Sequence, residues 1–302
     1  MPRTRSRYPR SFATSAETCD PARSGIVLFY GRVVSDADAI LNHYENIREE
    51  RRITEGLGEL ELVRTREIVQ RFLAPPPGSI LDVGGGTGAH ASWLADVGYR
   101  VHVVDLTPRH VDRVRAELAT RGVTAEVGDA LDLRQSDGSY DAALLLGPLY
   151  HLTDRSDRVR ALAECARVVR ADGVVIAAAI SRFASLFDGL AYGFLFDDRF
   201  RTIAEQDLID GQHRNPTNEQ QWFTTAYFHR PDDLEAEALD AGLTVTGLFG
   251  IEGMAGWHPT LNTAWETPQG RDAIIWAARA TETEPSLRGL SPHMLLVCHV
   301  QR

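Results

Sequence analysis

The chain has 302 residues, 43% hydrophobic and 25% charged, a composition typical of a globular protein with one enlarged domain or two. Its 42 acidic and 32 basic residues give a net charge of −10. Because an acidic surface repels phosphate backbones, nucleic acid is not expected as a partner. All 32 basic residues are arginine, which excludes a Schiff-base lysine, a pyridoxal-binding lysine and a Walker lysine.

The cysteines and the apolar runs indicate the compartment. Cys19, Cys165 and Cys298 lie far apart and show no C-x-x-C spacing, which argues against a disulfide framework or a cysteine zinc site and favours the reducing cytoplasm. No apolar run approaches ~20 residues, so neither a membrane span nor a membrane partner is expected. Residues 1–25 are predicted to be a disordered tail, with a transit peptide as the alternative.

Two helices are predicted ahead of the first strong strand, and together they form an N-terminal helical cap over residues 26–78. Ser35 can cap the first helix, whose apolar residues recur at helical spacing. The second helix covers residues 60–72, and the three prolines at 75–77 have to end it. Both helices are expected to lie outside the main sheet.

From Ser79 onward, short apolar runs alternate with amphipathic stretches of helix length. Such runs are typical of strands buried on both faces of a parallel sheet with right-handed crossovers. The sequence therefore predicts a doubly wound α/β core over residues 79–180. Strands are expected at 80–83, 101–104, 123–127, 142–146 and 174–180, and helices at 89–97, 108–121 and 155–170.

The alternation stops after Ile180, where a segment rich in aromatic residues begins. Residues 181–230 hold ten of the 24 aromatic residues in the chain. This composition suits a mostly apolar pocket, or a helical cap with a core of its own. We interpret the segment as a lid over the substrate site. Residues 231–302 return to helix and strand patterns, with strands at 243–249 and 294–300, and are expected to complete the sheet.

The chemistry-bearing segment is the glycine-rich turn after the first strand of the core. Gly84, Gly86 and Gly88 allow positive φ and let a ligand touch the backbone. Asp105 ends the next strand 21 residues after Gly84, where an acid can bind both hydroxyls of a ribose. This pattern also suits a dinucleotide, because Gly84, Gly86 and Ala89 satisfy the G-x-G-x-x-G/A fingerprint.

Two further acids favour a different nucleoside. Asp82, inside the turn, is awkward beside a pyrophosphate but suits an ammonium group. Asp129, after the third strand, is placed to meet the amino group of a purine. A zwitterionic adenosine that carries a sulfonium fits this charge distribution better than NAD does.

Residues 79 to about 180 resemble class I S-adenosylmethionine-dependent methyltransferases, and in particular the small-molecule branch akin to quinone-biosynthesis enzymes. The matching pieces are LDVGGGTG at 81–88, VVDL at 103–106, GDA at 128–130 and YDA at 140–142, leading to GPLYHL at 147–152. The resemblance implies S-adenosyl-L-methionine as cofactor, with its methionine end along residues 84–88 and its ribose on Asp105. It places the adenine near Leu106 and at Asp129 and Ala130. It also implies a mostly parallel sheet of seven strands, the last one antiparallel.

The loop after the fourth strand reads Gly147-Pro148-Leu149-Tyr150-His151. Methyltransferases of DNA bases or glutamine amides often carry Asn or Asp, then Pro-Pro-Tyr, at this place, and the difference is a second argument against nucleic acid. Because ligands of open α/β sheets lie at the carboxyl ends of the strands, Tyr150 and His151 are expected to face the reacting centre. His151 is the predicted proton acceptor. The alternative is a pair that only packs the loop.

Other candidate site residues lie outside this core. His213 and His229, in polar stretches of the aromatic segment, are secondary candidates for proton acceptor or substrate clamp. Third-ranked candidates lie in the loop after Phe249: Glu252, Trp257 and His258. In similar enzymes N-terminal helices fold over the cofactor. Tyr30 and Arg64 are therefore predicted to contact it, with Arg64 on its carboxylate; a solvated arginine is the alternative.

No metal is expected, because the sequence shows no cluster of acids beyond those at the cofactor and no zinc spacing such as H-E-x-x-H. The prediction is a cytoplasmic methyltransferase acting on the O or N atom of a small, partly apolar or aromatic metabolite, with a homodimer left open. Two alternatives remain. One is an NAD(P)-dependent oxidoreductase, whose usual Tyr-x-x-x-Lys group a chain without lysine cannot supply. The other is a non-catalytic scaffold or sensor that binds the cofactor.

Overall fold

The computed structural model describes residues 27–29, 32–34, 57–217, 219–257 and 261–301. The predicted tail, the helix after Ser35, Tyr30 and His258 lie outside the described residues. Strands β1 (Val27–Phe29) and β2 (Arg32–Val34) pair antiparallel, a hairpin that the sequence analysis did not anticipate. Helix α1 (Leu57–Phe72) ends before the prolines, as predicted.

Seven strands form one sheet in the order β10-β11-β7-β6-β3-β4-β5. Neighbouring strands are parallel except where β11 lies antiparallel between β10 and β7. The predicted fold class, a doubly wound and mostly parallel seven-stranded α/β sheet with an antiparallel last strand, is confirmed. The strands are β3 (Ser79–Val83), β4 (Arg100–Asp105), β5 (Thr124–Val127), β6 (Tyr140–Leu145), β7 (Val169–Ile180), β10 (Leu243–Gly250) and β11 (His293–Val300).

Helices cover both faces of this sheet, because successive strand residues point to opposite sides. Leu81 and Val83 pack in one buried cluster with the helices that follow β6 and precede β10. Ile80 belongs to the cluster on the other face, with α1 and the helices after β3 and β4. The helices between the strands are α2 (Ala89–Asp96), α3 (Pro108–Leu118), α4 (Arg155–Val168), α7 (Pro231–Asp240) and α9 (Pro268–Thr281), with the short α8 (Leu261–Trp265) before α9.

Strand β7 is longer than predicted, because it begins directly where α4 ends. Val169 pairs with Tyr140, and the register then shifts so that Ala142 pairs with Val174. Asp172 takes up the shift with a φ of 63°. The local sequence therefore reads as the end of a helix, whereas pairing with β6 draws it into the sheet.

The aromatic-rich segment folds as two helices and a small hairpin. These are α5 (Ala184–Tyr192), α6 (Asp198–Asp210) and the antiparallel pair β8 (Gln212–His213) and β9 (Ala226–Tyr227). Phe200, Ile203 and Trp222 form a buried cluster within the segment. A bridge between Ser181 and His229 joins it to the end of β7. None of the described helices is long and apolar enough to cross a membrane.

Candidate functional site

The glycine turn lies between the end of β3 and the start of α2. Gly84, Gly86 and Gly88 have φ values of 69°, 55° and 86°, a region that favours glycine because other residues carry a Cβ. A Cβ on Gly88 would come within 2.7 Å of Leu118, so this glycine lets α3 approach. A Cβ on Gly86 would meet nothing within 4 Å. The turn therefore leaves open space beside Gly86 for a ligand that touches the backbone.

Two buried aspartates lie at this turn. Asp105 ends β4, and its carboxylate accepts hydrogen bonds from the backbone N–H of Gly86 at 2.8 Å and of Thr107 at 2.9 Å. Burial by itself would raise the pKa of Asp105, but hydrogen bonds from His110, Thr107 and Gly86 hold it below its ordinary value. Burial, and then the nearby Asp105, raise the pKa of Asp82 to about 7. Within the described residues, one carboxyl oxygen of Asp82 has no hydrogen-bond partner.

The carboxyl ends of β4 and β5 extend this concavity. Asp105 pairs with Val127 across the two strands, which brings the segment after Val127 alongside Leu106. Leu106 is 52% exposed although it follows a buried strand, and it offers an apolar surface to a flat ring. Asp129 is exposed, and its carboxylate accepts a hydrogen bond from the N–H of Leu131. The open space at Gly86, the acid at the end of β4 and this apolar surface fit an adenosine nucleoside.

The loop after β6 lies against the glycine turn. A Cβ on Gly84 would come within 2.4 Å of Pro148, so the two loops are in close contact. A Cβ on Gly147 would lie 3.5 Å from both the Gly84 carbonyl oxygen and the Tyr150 hydroxyl. Tyr150 also lines a cavity of the described chain. This one residue therefore adjoins both the nucleoside turn and the cavity.

The cavity has a volume of about 510 Å³ and lies between α1, the loop after β6, the aromatic-rich segment and the two ends of the β10–β11 connection. Phe223 contributes to its wall with a φ of 63°, a conformation that non-glycine residues adopt rarely and that is typical of functional sites. Its acidic residues are Glu61, Asp188 and Glu252. The rings in the wall include Tyr150, Tyr192, Trp222, Phe223, Phe228 and Trp257.

The four predicted catalytic residues take different positions. Tyr150 and His213 line the cavity, whereas His151 and His229 are not among the described residues that line it. The ring of His151 is half-buried and stacks on Phe223, with 6.1 Å between the ring centroids. It therefore lies one ring behind the cavity wall.

His229 is part of a buried structural cluster. Its ring is fully buried, and its Nε2–H donates to Glu237 at 3.1 Å. Burial lowers the pKa of His229, against the opposing effect of Glu237. The same glutamate pairs with Arg158, which also donates to the carbonyls of Leu152 and Thr153. The predicted catalytic role of His229 is therefore not supported, because its ring is buried and paired with Glu237 within this cluster.

His213 uses both ring nitrogens inside the protein. Its Nε2 lies 2.8 Å from the carbonyl oxygen of Trp222, which can only accept, and its Nδ1 lies 2.8 Å from the carboxyl group of Asp207. A ring held in this way has no lone pair directed at a substrate. His213 can shape the cavity, but this geometry does not suit a proton acceptor.

Arg64 was predicted to contact the carboxylate of the cofactor, but its side chain is occupied inside the protein. Its side chain is fully buried, and its guanidinium group pairs with Glu67 and Glu282 and donates to the carbonyl of Ile251. Its Nε and Nη2 thus join α1 to Ile251 after β10 and to Glu282 after α9, whereas Nη1 pairs with Glu67 within α1. The complete burial of its side chain also removes the arginine from contact with a ligand.

Glu252 and His293 form a pair in the wall of the cavity that is not evident from the sequence. The Nδ1 of His293 lies 2.6 Å from one carboxylate oxygen of Glu252, whose other oxygen accepts from Ser291. Because a carboxylate accepts, Nδ1 carries the proton, and the lone pair of the imidazole resides on Nε2. His293 begins β11 and Glu252 follows β10, so the two residues belong to no common local motif from which the pair could be predicted. Glu252 was named as a lesser candidate, and His293 was not named.

Glu61, Glu252 and His293 also form a group whose ligand atoms lie within 4.8 Å of one another and could hold a metal ion. The expectation that acids cluster only at the cofactor is therefore wrong for the folded chain, which brings together residues 41 to 232 positions apart in sequence. The hydrogen bonds of Glu252 to Ser291 and His293 explain the position of its carboxylate without a metal.

Comparison with known proteins identifies the central part of the chain. Residues 80–173 match the family model described as a methyltransferase domain. Over 114 residues the chain is 32% identical to methyltransferase GfsG of Streptomyces halstedii, covering 36% of this chain and 40% of the relative. Over 110 residues it is 31% identical to a ubiquinone biosynthesis O-methyltransferase of Methylocella silvestris, covering 36% and 42%. The chain thus spans less than half the length of these relatives.

A solved structure shares the fold over a longer range. The crystal structure of an S-adenosylmethionine dependent methyltransferase from Mesorhizobium loti superposes with a TM-score of 0.54 at 14% identity, covering 80% of this chain and 99% of that one. At this identity the similarity establishes the fold alone.

Proposed function

We propose that this chain, which contains a class I S-adenosylmethionine-dependent methyltransferase domain, transfers a methyl group to an oxygen or nitrogen atom of a small, partly apolar or aromatic molecule in the cavity beside Tyr150. The family model matched by residues 80–173 and the fold shared with the solved structure support the predicted family and its cofactor, S-adenosylmethionine. The quinone-biosynthesis branch is not singled out, because the two curated relatives match the same share of this chain at almost equal identity.

The cofactor is proposed to bind along the glycine turn, where Gly86 leaves open space and Asp105 ends β4. Asp105 would hold the ribose hydroxyls, and the exposed Leu106 and Asp129 would receive the adenine. When bound, S-adenosylmethionine supplies a methyl group on a positively charged sulfur that leaves as a neutral thioether. The protein then has to align the acceptor, exclude water and remove one proton.

The observation that carries the proposal is the position of Tyr150. Its loop packs on Gly84 through Pro148, and its side chain lines the cavity. An acceptor in this cavity would therefore lie next to the methionine end of the cofactor. Six or more rings around a few polar groups suit a partly aromatic acceptor, since pockets for small molecules are mostly apolar with a few placed polar groups.

For an acceptor hydroxyl, the proton acceptor would be His293 in preference to His151. His293 lines the cavity and is oriented by Glu252, the arrangement in which a carboxylate fixes the tautomer of a general base. His151 would instead be a positioning residue, because it contacts the rings of Tyr150 and Phe223, which line the cavity. Tyr150 would position the acceptor.

Calorimetry and methyl transfer test the proposal. The protein is titrated with S-adenosylhomocysteine and with NAD, and then incubated with radiolabelled S-adenosylmethionine and a panel of small phenols, alcohols and amines. Binding of S-adenosylhomocysteine without binding of NAD is expected, followed by label in at least one acceptor. Binding of NAD alone would establish an oxidoreductase instead, and cofactor binding without transfer to any member of a broad panel would favour the scaffold.

A further inference from the structure

The charged residues in the wall of the cavity bear on whether it binds an amine or a hydroxyl acceptor. Three carboxyl groups line it, from Glu61, Asp188 and Glu252, and no arginine is among the described residues that do so. Elsewhere in the described chain, many surface carboxylates are paired with an arginine. The described wall of the cavity therefore holds acidic residues without an arginine among them, which favours a positively charged ligand.

The two histidines of the wall do not neutralise these acids. His213 is paired with Asp207 at 2.8 Å, and that pair is neutral wherever its proton lies. His293 is paired with Glu252 at 2.6 Å, so this pair has a charge of zero or −1. Asp188 adds a further negative charge when it is ionised. A neutral or anionic acceptor would gain nothing from this charge, whereas a cation would.

Asp188 is the acidic residue of the cavity wall whose carboxyl group is available to a ligand. Glu61 lies 3.9 Å from His293 and Glu252 lies closer, but no hydrogen bond or ion pair to Asp188 is found among the described residues. Its carboxyl group lies on α5 in the wall of the cavity. Burial raises the pKa of Asp188 to about 6, so the carboxylate is charged at neutral pH at a cost in solvation. A cationic ligand would offset this cost.

The surrounding rings suit the same ligand. Tyr192 lies one helical turn after Asp188 on α5, and the negative charge of Asp188 contributes to the raised pKa of the Tyr192 hydroxyl, after the larger effect of burial. Phe223 and Trp257 face the same cavity. An ammonium group over the faces of such rings is attracted by their quadrupole, while the apolar part of the molecule packs against the others.

We propose that the cavity binds an arylalkylamine as its ammonium ion, with the charge held by Asp188 and the ring by the aromatic wall, so that the acceptor atom is nitrogen. This inference rests on the proposed methyl transfer. The bound ammonium first gives one proton to Asp188 and becomes a neutral amine. The nitrogen lone pair then forms the N–C bond while the C–S bond breaks and sulfur keeps its electron pair. The methylated nitrogen carries the positive charge formerly on sulfur, and the product leaves as a cation.

The test compares an amine with its neutral counterpart of the same shape. The wild type and Asp188→Asn, both saturated with S-adenosylhomocysteine, are titrated calorimetrically with 2-phenylethylamine, tryptamine and tyramine and with the alcohols that carry –OH in place of –NH₂. At least one amine is expected to bind about tenfold or more tightly than its alcohol in the wild type. In Asp188→Asn that preference should fall to about twofold or less, with alcohol affinity unchanged.

Asp198→Asn is the matched control. Asp198 lies on the next helix with its side chain 94% exposed, so the substitution removes one negative charge at the surface and should leave the amine preference intact. If no amine binds better than its alcohol, or if the preference survives in Asp188→Asn, the inference is overturned. Failure of the proposed function has a different signature: S-adenosylhomocysteine would not bind, or it would bind without methyl transfer from S-adenosylmethionine to any acceptor of the panel.

Discussion

The two halves of the proposed site, one for the nucleoside of the cofactor and one for the methyl acceptor, are encoded in different ways. The nucleoside half consists of Asp82, the glycine turn and Asp105, within 24 residues of sequence and two adjacent strands. The acceptor half takes residues from α1, the loop after β6, the aromatic-rich segment and the two ends of the β10–β11 connection. One half is therefore a local motif on a regular scaffold, whereas the other exists only after the chain has folded.

The difference also appears in their charge and rigidity. In the nucleoside half, backbone N–H groups hold the Asp105 carboxylate in place. In the acceptor half, Asp188 lacks such partners among the described residues, and Phe223 holds a rare backbone conformation. A binding turn for a fixed cofactor can be rigid, whereas a cavity that selects an acceptor depends on a few exposed groups. Substitutions should separate the two halves cleanly.

The largest effect is expected from Gly86→Ala. A Cβ at a φ of 55° is strained, and it would also fill the open space beside the turn. Affinity for S-adenosylhomocysteine, measured by calorimetry, should fall by a factor of about 100. Gly122→Ala is the matched control, because Gly122 has a φ of 77° and equally open surroundings but lies beyond α3. Both variants should lose about 1 kcal/mol of stability, and equal losses of cofactor affinity would contradict the assigned turn.

The next largest effect distinguishes His293 from His151 in the acceptor half. For a hydroxyl acceptor, His293→Gln should lower kcat by a factor of about 100 with little change in KM, because it removes the general base while leaving the cavity wall. His151→Phe should retain most activity, since a phenyl ring can stack on Phe223. The opposite ranking would return the role to His151. Loss of wild-type activity in EDTA would show instead that Glu61, Glu252 and His293 hold a metal.

A smaller effect is expected from pH on amine binding. The raised pKa of Asp188, about 6, means that its carboxylate is charged above pH 6 and becomes neutral below it. Affinity for 2-phenylethylamine should therefore be present at pH 7.5 and fall several-fold by pH 5, since the amine stays protonated throughout. In Asp188→Asn the affinity should be low and flat with pH. A wild-type profile equally flat would show that another group holds the ammonium.

This contrast explains which parts of the fold and of the proposed site can be predicted from the sequence. The doubly wound sheet and the positions of Gly86 and Asp105 follow from apolar periodicity and from glycine spacing, both of which are local. Arg64 and His229 could not be assigned from sequence, because their burial against Glu282 and Glu237 depends on partners that are distant in the chain. His293 lies in a run that reads as an ordinary strand, and only the packing of the β10–β11 connection places it beside Glu252. Asp188 lies on a helix with no motif around it.

The smallest expected effect concerns stability in the nucleoside half. The pKa of Asp82, about 7 in the folded protein, is above its unfolded value, so the folded state holds the proton more tightly. Stability from this proton is fully present below about pH 4 and is lost as pH rises toward 7. Asp82→Asn removes that loss, and Tm measured by scanning calorimetry should rise by a few degrees at pH 8 and by less at pH 5. Asp129→Asn, at an exposed site on the same edge, should leave Tm unchanged. If Asp82→Asn also weakens cofactor binding, the buried acid is retained for binding at the expense of stability. A lower Tm of Asp82→Asn at pH 8 would contradict the prediction, because it would mean that the folded protein stabilises the Asp82 carboxylate.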